Sequence, residues 1–220
     1  MVLRVQDIGV LALGSHRERH GSALPEDIDA KLAAHVALEA AKRTGAKFIG
    51  IVLSSYELPG IDTGTHNSLD EVVGELTDVL KRAVLTLGLR AAVVVNGHGG
   101  NNPVGGRIPE LEREVGIPLR FNSRIIELEG PHAGTGEASM AAAIGIADEK
   151  KLKEHCDPDR YPEVGFVGLR EARERYGWAE KQAREVESKG VEIDRRMGTR
   201  MVEDAVRSVV RDVEHLKKGD

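Results

Sequence analysis

Between positions 8 and 122 the chain alternates short apolar runs with stretches whose apolar residues recur at helical spacing. Ile8–Leu13 (IGVLAL), bounded by Asp7 and Gly14, predicts a buried strand. In Asp27–Thr44, Ile28, Leu32, Val36, Leu38 and Ala41 fall on a helical repeat, and Gly45 supplies a C-cap. Lys47–Ser54 predicts a second strand and Tyr56–Asn67 a loop. Leu69–Leu87 predicts a second helix, capped by Ser68, with Asp70 and Glu71 in its first turn and Gly88 at its end. Arg90–Asn96 reads as a third strand, Pro103 as the start of a helix running to about Val115, and Ile117–Asn122 as a fourth strand. A small-residue helix is expected around Glu137–Ile146, and a long one over about Asp194–Lys217. This alternation predicts a mostly parallel sheet with helices on both faces.

Composition narrows the class. The 220 residues suit a single α/β domain, 1–220, with a charged and mainly helical part from about 148 that packs on the same domain or on a neighbouring subunit. A net charge of −5 gives no pull toward nucleic acid or an anionic membrane, and aromatics at 3% are too sparse for base-stacking platforms on single strands. No stretch is long and apolar enough to span a bilayer, and the one cysteine, Cys156, excludes a disulfide framework. The expected compartment is the cytoplasm.

In parallel α/β sheets ligands bind at the carboxyl ends of the strands. Here those ends are Ser15–Glu26, Ser54–Asn67 and Asn96–Asn102, with Gly130–Ser139 following the last strand, and His20, His66, His98 and His132 fall one in each. Glu18 and His20 lie two apart, so an extended loop aims both to one side. Asp29 stands at the start of a helix, close enough to fold back. His98 sits among glycines that allow crowded backbone geometry, and Glu137 adds a carboxylate at a helix head. Three carboxylates and two imidazoles suit a two-metal hydrolytic centre in which one Asp bridges both ions. Plainer readings stand beside this one. A Glu-x-His pair is commonly surface charge, His66 and His132 suit structural hydrogen bonding, and GHGGNN can cradle a phosphate on backbone amides, as in a nucleotide-binding module without catalysis.

Three motifs in order carry a family resemblance. LGSHRERHGSALPEDID resembles the creatininase signature E-x-H-G followed by L-P and an Asp; VVVNGHGGNN resembles its N-G-H-G-G-N motif, and HAGTGEAS its H-A-G-x-x-E-T-S motif. The likeness covers nearly the whole chain. THN at Thr65–Asn67 and YPEVGFVGLREARE at Tyr161–Glu174 are similar to an archaeal branch of that family, which removes formate from a phosphorylated formylaminopyrimidine in riboflavin and deazaflavin-coenzyme biosynthesis. The resemblance implies a three-layer α/β/α sandwich and two metal ions per chain, with Glu18, His20, Asp29 and His98 as ligands and Asp29 bridging. Glu137 becomes a further ligand or the general base, and His132 a stabiliser of the oxyanion. Where creatininase carries a glutamate ligand two residues after the histidine of the second motif, this chain has Gly100, and Glu137 is expected to replace it. Positions 135 and 138 also depart, as Thr135 and Ala138. Fe²⁺ is implied for the branch, with Zn²⁺ or Mn²⁺ equally compatible with the ligand set. His66, Asn101 and Asn102 are candidates for holding the substrate phosphate. A homo-oligomer is implied, and the alternative activity is hydrolysis of a creatinine-like ring amide or a peptide.

Overall fold

The structure, a computed structural model, describes residues 3–219. Its four strands are β1 (Ile8–Leu13), β2 (Lys47–Val52), β3 (Ala91–Asn96) and β4 (Leu119–Asn122), all parallel, in the order β2-β1-β3-β4. The helices are α1 (Ile28–Thr44), α2 (Leu69–Leu87), α3 (Ile108–Val115), α4 (Arg124–Glu129), α5 (Thr135–Ala143), α6 (Leu152–His155), α7 (Arg170–Arg175), α8 (Gly177–Lys189) and α9 (Arg195–Lys218).

Alternation along β1 and β3 sorts the layers. Ile8, Val10, Ala12, Val93 and Val95 pack with α1 and with Val202, Val206, Val209 and Val213 of α9. Leu11, Leu13, Ala92 and Val94 face Val72, Leu76 and Leu80 of α2 and Leu111 of α3. Both central strands are buried along their whole length, which explains why they read as continuous apolar runs. The result is the expected α/β/α sandwich. β2, at the sheet edge, is half-exposed.

Several boundaries differ from the sequence expectation, β2 ending at Val52 among them. Gly99–Arg107 is a run of 3-10 turns, and the α-helix begins only at Ile108; Pro103 lacks an N–H and Gly105-Gly106 disfavour the helix. β4 starts at Leu119, after Pro118, whose carbonyl accepts from Ala92 N–H. The small-residue helix runs from Thr135 to Ala143 and stops before Gly145, which has φ +80°.

The sheet order places the site. From β1 the chain crosses to β2 on one side, and β3 then returns to pair with β1 on the other. The strand order therefore reverses between β1 and β3, and the connections leave a crevice outside their carboxyl ends.

Candidate metal centre

Two glycines bring the head of α1 into that crevice. A Cβ on Gly14, just past β1, would lie 2.7 Å from the Asp29 carbonyl oxygen, and one on Gly97, just past β3, only 2.3 Å from it. Nothing larger than glycine lets the first turn of α1 sit between the two strand ends. Asp29 thereby stands at the switch point, in the first turn of a helix, where a carboxylate is favoured.

Around Asp29 the structure gathers all five residues expected as metal ligands. Glu18, His20, Asp29, His98 and Glu137 are each at most 3% exposed. They form two sets that share Asp29: Glu18, Asp29 and His98, and His20, Asp29 and Glu137, with the potential ligand atoms of each set within 4.8 Å of one another. In the first, His98 Nδ1 lies 2.7 Å from Glu18 Oε2 and 2.9 Å from Asp29 Oδ2. In the second, His20 Nε2 lies 3.2 Å from Asp29 Oδ1 and 3.4 Å from Glu137 Oε1. Each carboxylate oxygen of Asp29 thus faces one imidazole.

Hydrogen bonds fix the tautomers. A carbonyl oxygen only accepts, so His98 Nε2–H donates to Tyr56 O (2.9 Å) and His20 Nδ1–H donates to Glu18 O (3.0 Å). The opposite nitrogen of each ring faces two carboxylates, so it carries either a proton or, as a lone pair, a cation held between them. Burial opposes a proton on His20, yet Glu137 and Asp29 outweigh it and hold its pKa well above the usual value; Glu18 and Asp29 do the same for His98. Burial works against ionised Glu18, but His98 and His132 hold its pKa well below the ordinary range. Glu18 Oε2 is buried, with His98 Nδ1 as its polar neighbour at 2.7 Å. A buried set of three carboxylates and two backbone-anchored imidazoles fits divalent cations in both number and type of donor.

Further contacts steady the set. Thr63 Oγ1–H donates to Glu18 Oε1 (2.9 Å), and Ala133 N–H donates to Glu137 Oε2 (2.8 Å). Burial, opposed by His20, pushes Glu137 up to about 7. Ala133 itself has φ +52°, and with Phe166 (φ +60°) it is a non-glycine residue in the left-handed region; such positions cost about 1–3 kcal/mol each and persist where packing over-determines them.

A pocket of about 440 Å³ opens onto the cluster through Glu18, His98 and His132. His132 Nε2–H donates to Arg19 O (2.9 Å), and burial together with His20 pushes its pKa down to about 4, so at neutral pH Nδ1 carries a lone pair and can take a proton. Glu137 does not line the pocket, whereas Glu57 does. Burial pushes Glu57 up to about 7, and its Oε1 lies 2.9 Å from where a Cβ on Gly100 would stand. Tyr56 O and His98 Nε2 stand nearer still to that point, so all three exclude a side chain at position 100.

The three expected substrate-binding residues separate. Asn102 lines the pocket. Asn101 is fully buried; its Oδ1 accepts from Tyr56 N–H (2.8 Å), and its Nδ2 has no hydrogen-bond partner. His66 stacks on His98 at 5.5 Å, pairs with Ser55 Oγ and Thr63 Oγ1, and groups with the pocket-lining Glu18 and Glu57. Asn101–Asn102 lie near the start of a 3-10 helix that begins at Gly99, not at an α-helix N-terminus. Glu57 and Thr63 were not singled out from sequence, although the loop that carries them was; Glu and Thr in a loop carry no signal of their own. Cys156 is exposed and unpaired.

A family model described as creatinine amidohydrolase matches residues 2–213. The 2-amino-5-formylamino-6-ribosylaminopyrimidin-4(3H)-one 5'-monophosphate deformylase of Methanothermobacter thermautotrophicus is 50% identical over 97% of this chain and 91% of its own. That of Methanothermobacter marburgensis is 47% identical over 96% and 91%. Among solved structures, a creatinine amidohydrolase superposes with TM-score 0.65 at 19% identity, over 94% of this chain and 89% of its own. A zinc–zinc creatininase variant and a manganese creatininase each superpose with TM-score 0.63 at 18% identity, over 94% and 90%.

Proposed function

The chain belongs to the creatininase family, and on that premise we propose what its buried cluster does and to which substrate. It is a hydrolase of a linear amide C–N bond. Its reaction is release of formate from 2-amino-5-formylamino-6-ribosylaminopyrimidin-4(3H)-one 5'-monophosphate, the substrate in the name of relatives up to 50% identical over nearly the whole chain. One observation carries the reading at the level of chemistry: two sets of buried oxygen and nitrogen donors share Asp29, and Glu18 and His98 of the first set line a pocket.

Glu18, Asp29 and His98 would hold one divalent cation, and His20, Asp29 and Glu137 a second. Bound there, such ions supply Lewis acidity toward a carbonyl oxygen and make water a nucleophile near neutral pH. Ferrous iron is the first candidate, with zinc and manganese next. The protein's own groups do the rest. His132 Nδ1 accepts a proton as water adds to the formyl carbon. The same proton passes to the ring-bound nitrogen as its bond to that carbon breaks, leaving formate and the free amine. The Nε2–H···O contact to Arg19 keeps the ring in the accepting tautomer throughout. Glu137, tied to Ala133 N–H and set back from the pocket, acts as a ligand and not as the base.

Among the described residues, no Lys or Arg lines the pocket. The assembly we propose for this cytoplasmic, single-domain protein is a homo-oligomer. The test is anaerobic purification, metal analysis per chain, and assay of formate release with and without added Fe²⁺. Stoichiometric metal and metal-dependent formate release are expected, and Asp29→Ala is expected to lose both. Full turnover by Asp29→Ala without metal would refute the assignment.

A further inference from the structure

The pocket has a second wall that the metal chemistry does not use. It comes from the charged C-terminal part and carries the only tryptophan of the chain, Trp178, together with Phe166. Four ring-to-ring steps lead outward from the cluster. His20 meets His132 at 4.4 Å between centroids, and His132 stacks on Phe166 at 5.2 Å. Phe166 meets Trp178 edge-on at 5.4 Å, and Trp178 stacks on Tyr176 at 5.5 Å.

This wall is held in place from several directions. Tyr176 O–H donates to Pro59 O (2.8 Å), which ties it to the loop that also bears Glu57. Gly165 N–H donates to His132 O (2.7 Å), and Glu163 Oε1 accepts from Gly21 N–H (2.9 Å), so the turn before the ring pair is fastened to the first and third motifs. Phe166 is held at φ +60°, a conformation that a bulky residue adopts only under constraint. Ile61, Phe166, Ala172 and Ala179 form an apolar cluster apart from the two main cores, and it backs the wall. Trp178 nevertheless stays 42% exposed where it lines the pocket. A large ring braced by its neighbours and left open toward a cavity is pre-organised to receive another flat ring. Leu58, Pro103 and Ile126 line the same pocket, and their side chains offer no hydrogen bonds and suit a ring face.

We infer that Trp178, seated on Phe166, is the stacking surface for the heterocycle of the substrate, and so determines which formamides enter. This rests on the deformylase reading above. A conjugated aminopyrimidinone gains by stacking on indole, whereas a small aliphatic amide or a non-aromatic ring gains little. Trp178 would then act in binding, and the chemical step would leave it untouched.

Steady-state kinetics with the metal-loaded enzyme test this. Trp178→Ala is expected to raise KM for the formylaminopyrimidine nucleotide roughly tenfold, with kcat within about threefold, as befits the loss of one stacked base contact. Trp178→Phe should recover most of the loss. In the wild type, emission from this single tryptophan should change saturably as the deformylated product is titrated in, at the concentration at which that product inhibits. Formate release by the wild type with an unchanged KM in Trp178→Ala, or with emission indifferent to product, overturns the inference and leaves the deformylase reading standing. No formate release by the metal-loaded wild type would sink that reading instead.

Discussion

His155 shows how a single residue reports on the site without belonging to it. It is fully buried, its Nδ1 accepts from Ala23 N–H (3.1 Å), and its Nε2–H donates to Ala133 O (2.8 Å). It thus braces the first motif against the third. It also explains the glycine that follows His20: Gly21 has φ +69°, and a Cβ there would lie 2.4 Å from His155 Nδ1. Burial lowers the His155 pKa, against the opposing bond to Ala133. Above pH 6.5 both folded and unfolded states are neutral at this residue. As pH falls below 6.5 the unfolded chain takes up a proton that the folded state resists, so stability declines toward the lowered folded value. His155→Gln keeps one donor and one acceptor but does not titrate. In metal-free protein its urea midpoint should fall less between pH 7.5 and 5.5 than that of the wild type, and equal falls would remove His155 from the account.

At the scale of elements, the closest crossing is that of α5 and α9. A Cβ on Gly198 would lie 1.9 Å from the carbonyl oxygen of Ser139, and one on Gly136 3.0 Å from the Met201 side chain. Small residues along α5 and a glycine in α9 let the backbones meet, and this seats the helix that holds Glu137. Gly→Ala inside a helix ordinarily gains roughly 1 kcal/mol. At position 198 the steric overlap outweighs that gain, since overpacking costs about 1–3 kcal/mol and a backbone oxygen cannot step aside. Gly198→Ala should therefore lower Tm by roughly 3–8 °C in a thermal melt; a rise would show that the crossing is looser than described. The cap signals behave as local chemistry predicts: Ser68 and Glu71 form a reciprocal capping box, and Gly45 and Gly88 close α1 and α2 with left-handed φ.

For the whole molecule, three carboxylates from three separate segments are held together at the centre of the fold, and ions that bind only the folded state stabilise it by mass action. At a hundredfold excess over Kd that amounts to about 2.7 kcal/mol per ion. Removing both ions with a chelator should lower Tm by roughly 10–20 °C and abolish formate release, and both should return on adding divalent ion. Indifference of Tm to chelation would argue that the cluster binds nothing.

Local rules within the sequence were enough to establish the strand–helix alternation, the glycine caps, and five of the residues at the buried cluster, because apolar period, cap chemistry and ligand-type side chains are each written in a few consecutive positions. Which strand lies beside which was not written there, and it decides that residues 18, 29, 98 and 137 meet at the reversal between β1 and β3. Nor do single positions reveal that Glu57 lines the pocket, that Asn101 Oδ1 accepts from Tyr56 N–H, that His132 Nε2–H is engaged by Arg19 O, or that Trp178 lines the pocket. Each of those depends on contacts between segments distant in the chain, and only the packed structure fixes the direction in which a side chain points.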